Sequence, residues 1–98
     1  MATEVHDNPE QHRYEIHIDG VLAGFASYRP HPDERVFLHT EVKPEYGGRG
    51  IGSALAKAAL DDLRARNLGA VPLCPFITAY IERHSEYADL VVDHSKHS

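Results

Sequence analysis

"EYGGRGIGSALAKAAL", residues 45–60, carries four glycines and an arginine between positions 47 and 52 and then turns at once into alanine, leucine and lysine. A purely structural turn needs one or two glycines, so four in six positions point to a loop whose backbone must come close to a ligand. From Ile51 to Arg66 the spacing predicts a helix, with Ile51, Leu55, Ala58, Ala59 and Leu63 on one stripe and Lys57, Asp61 and Arg64 opposite. The loop therefore delivers the chain to a helix N-terminus, where unpaired amides and roughly half a positive charge favour an anion. The amides of residues 47–52 can turn onto a phosphate, and Arg49 adds a full charge.

Upstream, His12 to Ile18 alternates Arg13, Glu15 and His17 with Tyr14, Ile16 and Ile18, the period of a strand with one buried face. Asp19-Gly20 favours a type I′ turn, so Val21–Arg29 is expected to return antiparallel. Two prolines, Pro30 and Pro32, interrupt the ladder before a third strand over Arg35–Val42. Downstream, Asn67 and Gly69 can end the helix, Ala70–Leu73 reads as a short strand, and Phe76–Arg83 as a second helix following Pro75. Residues 1–9 and 93–98 are polar and without apolar period, and both ends are expected to be mobile, leaving an ordered core of about 12–92. The order predicts one α/β (α+β) domain over residues 1–98: a mixed sheet of about four strands, its one parallel pair joined by the first helix through a right-handed crossover.

Composition narrows the function. A chain of 98 residues with 42% hydrophobic and 26% charged residues suits a single folded domain. The net charge of −5 and the lack of a basic run argue against nucleic acid. No apolar run is long enough for a membrane span, no signal segment is expected, and the single Cys74 cannot form an internal disulfide, so a cytoplasmic setting is expected. His84, His94 and His97 do not assemble a convincing ligand set, and no metal is expected.

The phosphate-binding loop is neither of two familiar kinds. Gly52 is followed by Ser53-Ala54 rather than Lys-Ser/Thr, which excludes a P-loop, and the third glycine of a dinucleotide fingerprint would fall on Ser53. A pantetheine pyrophosphate is the remaining common solution. "HTEVKPEYGGRGIGSALAKAALDDLRARNLGAVPLCPF", residues 39–76, resembles the core of the GNAT acetyltransferase superfamily, and most closely its short, single-domain, cysteine-containing branch. The family's loop has the form Gln/Arg-x-x-Gly-x-Gly/Ala. This sequence matches from Gly50 onward and departs at Gly47.

The resemblance implies a GNAT-like minimal fold and acetyl coenzyme A as cosubstrate, held by Val42, Gly47, Gly48, Arg49, Gly50, Ile51, Gly52 and Ser53. It also implies an amine acceptor, a small molecule or a protein lysine, and a main-chain N–H near Glu41-Val42 for the oxyanion. Larger members wall the acceptor site with helices after the first strand and a further hairpin, neither of which is read here. Four residues are candidates for the chemistry. Simple alternation along "RVFLHTEV" puts Phe37, His39 and Glu41 on one face, so His39 and Glu41 can serve as base and orienting partner. Cys74, just before the second helix, can accept the acetyl group or lie beside it, and Tyr80 can protonate the coenzyme A sulfur. Each has a plainer reading as a packed or satisfied structural residue. A rival function is a non-catalytic acyl coenzyme A binding or sensing module, and a third is an interaction domain with a vestigial loop. A monomer or weak homodimer is expected.

Overall fold

The computed structural model describes residues 2–48 and 50–92. Its sheet is built from β1 (Thr3–Asn8), β2 (Arg13–Ile18), β3 (Val21–Pro30), β4 (Glu34–Val42) and β5 (Gly69–Pro72), in that spatial order. Helix α1 (Ile51–Ala65) joins β4 to β5, and α2 (Pro75–Arg83) follows β5. Three antiparallel pairings precede the parallel pairing of β4 with β5, as the strand order predicts. Asp19 and Gly20 both take positive φ, 51° and 82°, which is the geometry of the type I′ hairpin.

The sheet has five strands because residues 3–8 pair along β2, which corrects the expectation of a mobile N-terminal arm. The segment is polar, but its inward positions have partners that local sequence does not display. Val5 packs against the core, and Asp7 accepts hydrogen bonds from the Tyr28 hydroxyl and from Arg35 Nη1 at 3.1 Å. Arg35 Nη1 also donates to the Tyr14 hydroxyl at 2.6 Å, and Tyr14 in turn donates to Asp62 Oδ2 of α1 at 2.6 Å. This buried polar network ties β1, β2, β3, β4 and α1 together. Met1 and residues 93–98 lie outside the described residues, and so does the expectation of a mobile C-terminal end.

Both helices pack on the face that carries Tyr14, Ile16, Ala26, Tyr28 and Phe37, where Leu55, Leu60, Leu63 and Ile77 complete the core. The opposite face carries Glu4, His6, Arg13, Glu15, His17, Phe25, His39 and Glu41, and among the described residues no helix covers it. Along β4 the alternation breaks. Ser27 pairs with His39 but Tyr28 pairs with Phe37, so Leu38 is an extra residue in a bulge and is 42% exposed. Phe37 therefore shares the helix-side face with Thr40 and Val42 rather than with His39 and Glu41, contrary to simple alternation.

Asn67, at φ 56°, ends α1 in a Schellman motif: Leu68 N donates to Leu63 O at 2.9 Å and Asn67 N to Arg64 O at 3.2 Å. Gly69 belongs to β5 instead, where a side chain would collide with Val92. A turn of 3-10 helix over Ser85–Leu90, unanticipated from the sequence, buries Tyr87 and Leu90 against the core.

Candidate functional site

The glycines at 47–52 have different reasons to be glycine. Gly48 and Gly50 sit at φ 78° and 71°, where L side chains are strained, and Gly50 is the N-cap of α1 in left-handed conformation. Gly52 has an ordinary backbone, but a Cβ there would stand 2.6 Å from the end of the Phe76 ring. Gly47 is extended, with a Cβ only 3.3 Å from Pro44 O. Two glycines thus shape the turn and one admits an aromatic ring from α2.

Among the described residues no side chain caps α1, and Ala54 N donates to Gly50 O at 3.0 Å. The amides of Ile51, Gly52 and Ser53, in the first turn, have no intrahelical acceptor among the described residues. They border a cleft of about 250 Å³ lined by Val42, Tyr46, Gly47, Gly48, Gly50, Ile51, Gly52, Ser53 and Phe76. Every described loop position singled out from the sequence is in that lining. Arg49 lies outside the described residues. Tyr46 and Phe76 were not identified from sequence, because their part depends on a 3-10 turn and on α2 packing across the start of α1.

Val42 of the cleft lies at the end of β4, beyond a fork in the sheet. β4 and β5 pair from Glu34 with Gly69 to Phe37 with Pro72, and there the ladder ends while β4 runs on to Val42. Leu73 N and Cys74 N both donate to Phe37 O at 3.1 Å, which closes the root of the fork and turns the chain into α2. Pro75 at N1 of α2 supplies the fixed φ for that turn. Exposed Leu38, Leu73 and Phe76 make the neighbourhood apolar. A second cleft of about 180 Å³, lined by Ser53, Phe76, Ala79, Tyr80 and Arg83, shares Ser53 and Phe76 with the first. A glycine turn at a helix start, with a fork between parallel strands on the same strand β4, has the chemistry to take a long ligand with an anionic middle and an apolar arm.

The four candidates for chemistry are divided. Cys74 is the N-cap of α2, is 2% exposed, and donates from Sγ to the Thr40 hydroxyl at 3.2 Å. Tyr80 borders the second cleft and stacks on His84 at 4.1 Å; burial raises its pKa, with nearby Glu86 and Asp61 adding to the rise and Lys57 opposing it. His39 and Glu41 lie together, Nε2 to Oε1 at 3.8 Å, but on the open face and each 62% exposed in its side chain. The β4 bulge leaves Thr40, not His39 or Glu41, beside the Cys74 thiol. Thr40 is thus a site neighbour that alternation hid.

Residues 13–90 match the profile of the family described as GCN5-related N-acetyl-transferase. Among solved structures, a GCN5-like protein from Staphylococcus aureus superposes with a TM-score of 0.68 at 26% identity, covering 96% of this chain and 94% of that one. The ribosomal-protein-S18-alanine N-acetyltransferase of Escherichia coli shares the fold, with a TM-score of 0.63 at 23% identity over 74% of this chain and 50% of that one. Protein NATD1 from Homo sapiens is 46% identical over 46 residues, 47% of this chain and 41% of the human protein; the chicken protein matches at the same identity over 42% of its length. The match thus spans less than half of these relatives. No helix among the described residues is long and apolar enough to cross a membrane. With the profile covering most of the sequence and the forked sheet, glycine turn and uncapped helix start all present, the chain belongs to the GCN5-related N-acetyltransferase family.

Proposed function

We propose that this chain binds acetyl coenzyme A in the cleft at the start of α1 and transfers the acetyl group to an amine, a small molecule or a protein lysine. The observation that carries the reading is the coincidence of left-handed Gly48 and Gly50, the first-turn amides of Ile51, Gly52 and Ser53 bordering a cleft that Val42 also lines, and the fork beyond Phe37 on the same strand β4. Acetyl coenzyme A supplies an activated thioester. The loop amides hold its pyrophosphate, Val42 and the exposed edge of β4 line the pantetheine arm, and a β4 amide near Glu41-Val42 donates to the oxyanion. Cys74, held by Thr40 at the root of the fork, either takes the acetyl group on its thiol or flanks it. Tyr80, in the adjoining cleft, is the candidate acid for the departing thiolate. The reaction is expected in the cytoplasm.

Calorimetric titration with acetyl coenzyme A and with free coenzyme A, followed by intact mass, tests both parts. Saturable binding with the mass gain of one acetyl group, lost in Cys74→Ala while binding persists, supports the covalent role. Binding with transfer unchanged in Cys74→Ala returns the thiol to the core. The absence of binding to either form overturns the reading altogether.

A non-catalytic acyl coenzyme A sensing module is the second reading, favoured by one observation: His39 and Glu41 are on the opposite face of the sheet from Cys74. It predicts coenzyme affinity without acetyl transfer across a panel of amines and lysine peptides.

A further inference from the structure

Glu15 is 6% exposed although it stands on the sheet face that no described helix covers. Its cover is a ring of polar side chains. Oε2 accepts hydrogen bonds from Arg13 Nε at 2.7 Å and Asn8 Nδ2 at 3.1 Å. Oε1 faces His6 Nε2 at 3.6 Å and His17 Nε2 at 3.8 Å, both too long for hydrogen bonds. The two imidazoles are stacked, with centroids 4.8 Å apart and planes 11° from parallel, so both point the same edge at one carboxylate oxygen. His17 Nδ1 is buried and has no hydrogen-bond partner among the described residues.

Three ligand atoms, two imidazole nitrogens and a carboxylate oxygen, all lie within 4.8 Å of one another. Bonds of about 2.0–2.1 Å in a tetrahedral site put two donors roughly 3.3–3.4 Å apart. The carboxylate-to-imidazole distances, 3.6 and 3.8 Å, stand a few tenths of an ångström beyond that spacing, and rotation of His6, whose side chain is 53% exposed, draws the donors together. The strand register sets the cluster: His6 is the cross-strand partner of Glu15, and His17 is two residues along on the same face. Arg13 and Asn8 do for Glu15 what outer-shell partners do for a ligating carboxylate, fixing one oxygen so the other is aimed. Glu4, the cross-strand partner of His17, adds a second negative charge on that face to offset Arg13.

We propose that His6, Glu15 and His17 form a binding site for a divalent transition-metal ion of the zinc class, clamping edge strand β1 to β2. Mixed nitrogen and oxygen donors favour such an ion over magnesium or calcium. Its role is structural, because β1 and β2 occupy the edge of the sheet opposite the β4–β5 fork. The site therefore stands independently of the acetyltransferase reading, and it departs from the expectation of no metal drawn from sequence.

The test is calorimetric titration of the chelator-treated full chain with zinc chloride, with thermal unfolding and imidazole NMR shifts recorded alongside. The proposal expects one ion per chain, a rise in Tm, and shifts at His6 and His17. His6→Ala, at a half-exposed position that leaves the Arg13 and Asn8 bonds intact, is expected to weaken binding at least about tenfold, and a His94→Ala/His97→Ala double variant to bind as the parent does. Circular dichroism of metal-free His6→Ala confirms that it folds. Unsaturable binding, parent-like affinity in His6→Ala, or loss of binding in the double variant overturns the proposal.

Discussion

At the scale of single residues, Gly50 and Gly52 separate conformation from space. Gly50→Ala forces a side chain into left-handed backbone, at a cost of about 1–2 kcal/mol, and it also disturbs the amides that face the cleft. Reduced stability in urea unfolding and weakened coenzyme binding are both expected. Gly52→Ala meets only the end of the Phe76 ring, a 40% exposed side chain that can swing aside. Its stability is expected to stay within about 1 kcal/mol of the parent, since a helical alanine gains what the displaced ring loses, while the moved ring narrows the cleft and lowers coenzyme affinity. Parallel urea and calorimetric measurements on the two variants distinguish a turn requirement from a packing one. The sequence showed that these glycines matter. It did not show that they matter for two different reasons, because the second reason is a ring from α2.

At the scale of elements, β1 is held by its inward side chains more than by its own propensity. Asp7 is 9% exposed in its side chain and Arg35 10%, with Arg66 Nη1 a further 3.6 Å from the Asp7 carboxylate. Burial favours a neutral Arg35, but the field of Tyr14, Asp7 and Tyr28 and the hydrogen bond it donates to Asp7 outweigh it, so the guanidinium stays charged. Asp7→Ala leaves that charge buried and short of its partner, a change that costs about 3–5 kcal/mol in comparable cases. The prediction is a matching fall in urea stability together with fast amide exchange along β1. A variant with parent-like stability would reduce β1 to an ornament on a four-stranded sheet. Asp7 was invisible as an anchor in the sequence because Tyr28 and Arg35, which donate to it, lie 21 and 28 positions away.

At the scale of the whole molecule, the tyrosines tie β1, β2 and the Ser85–Leu90 turn to β3 and α1 and give stability an alkaline limit. Burial, with a hydrogen bond to Asp7, pushes the Tyr28 hydroxyl up to about 12, and burial with a hydrogen bond to Asp61 does the same for Tyr87. Tyr14 is raised as well, by burial and by its bond to Asp62. Below pH 10.0 these groups keep their protons whether the chain is folded or not, and their contribution is complete; from there to about 12 the unfolded chain loses protons that the folded one retains. Stability is therefore expected to fall as pH rises through that window, with the phenolate absorbance of the folded chain appearing late and then jumping as it unfolds. Smooth phenolate formation near the ordinary tyrosine range, with no accompanying loss of structure, would contradict this. On the acid side Glu15 acts in the opposite sense. Burial alone would raise its pKa, but the hydrogen bonds and charge of Arg13, the bond from Asn8 and the field of His17 lower it, so its stabilisation is present above the ordinary carboxylate range and lost as pH falls through the lowered value.

Local chemistry determined the hairpin, the crossover helix and the glycine cradle. Asp19-Gly20, the 3.6-residue stripe from Ile51 and the glycines at 47–52 act through backbone dihedrals and periodicity, which each short segment carries within itself. Only the tertiary structure decided that residues 3–8 are a strand, that a bulge at Leu38 turns Thr40 toward Cys74 and His39 away, and that Tyr46 and Phe76 complete the cleft. These depend on partners distant in sequence: a buried charge network, a register shift against β3 and the packing of one helix on the start of another. The same holds for His6, Glu15 and His17, whose convergence on one oxygen is set by cross-strand register, a property of two strands together.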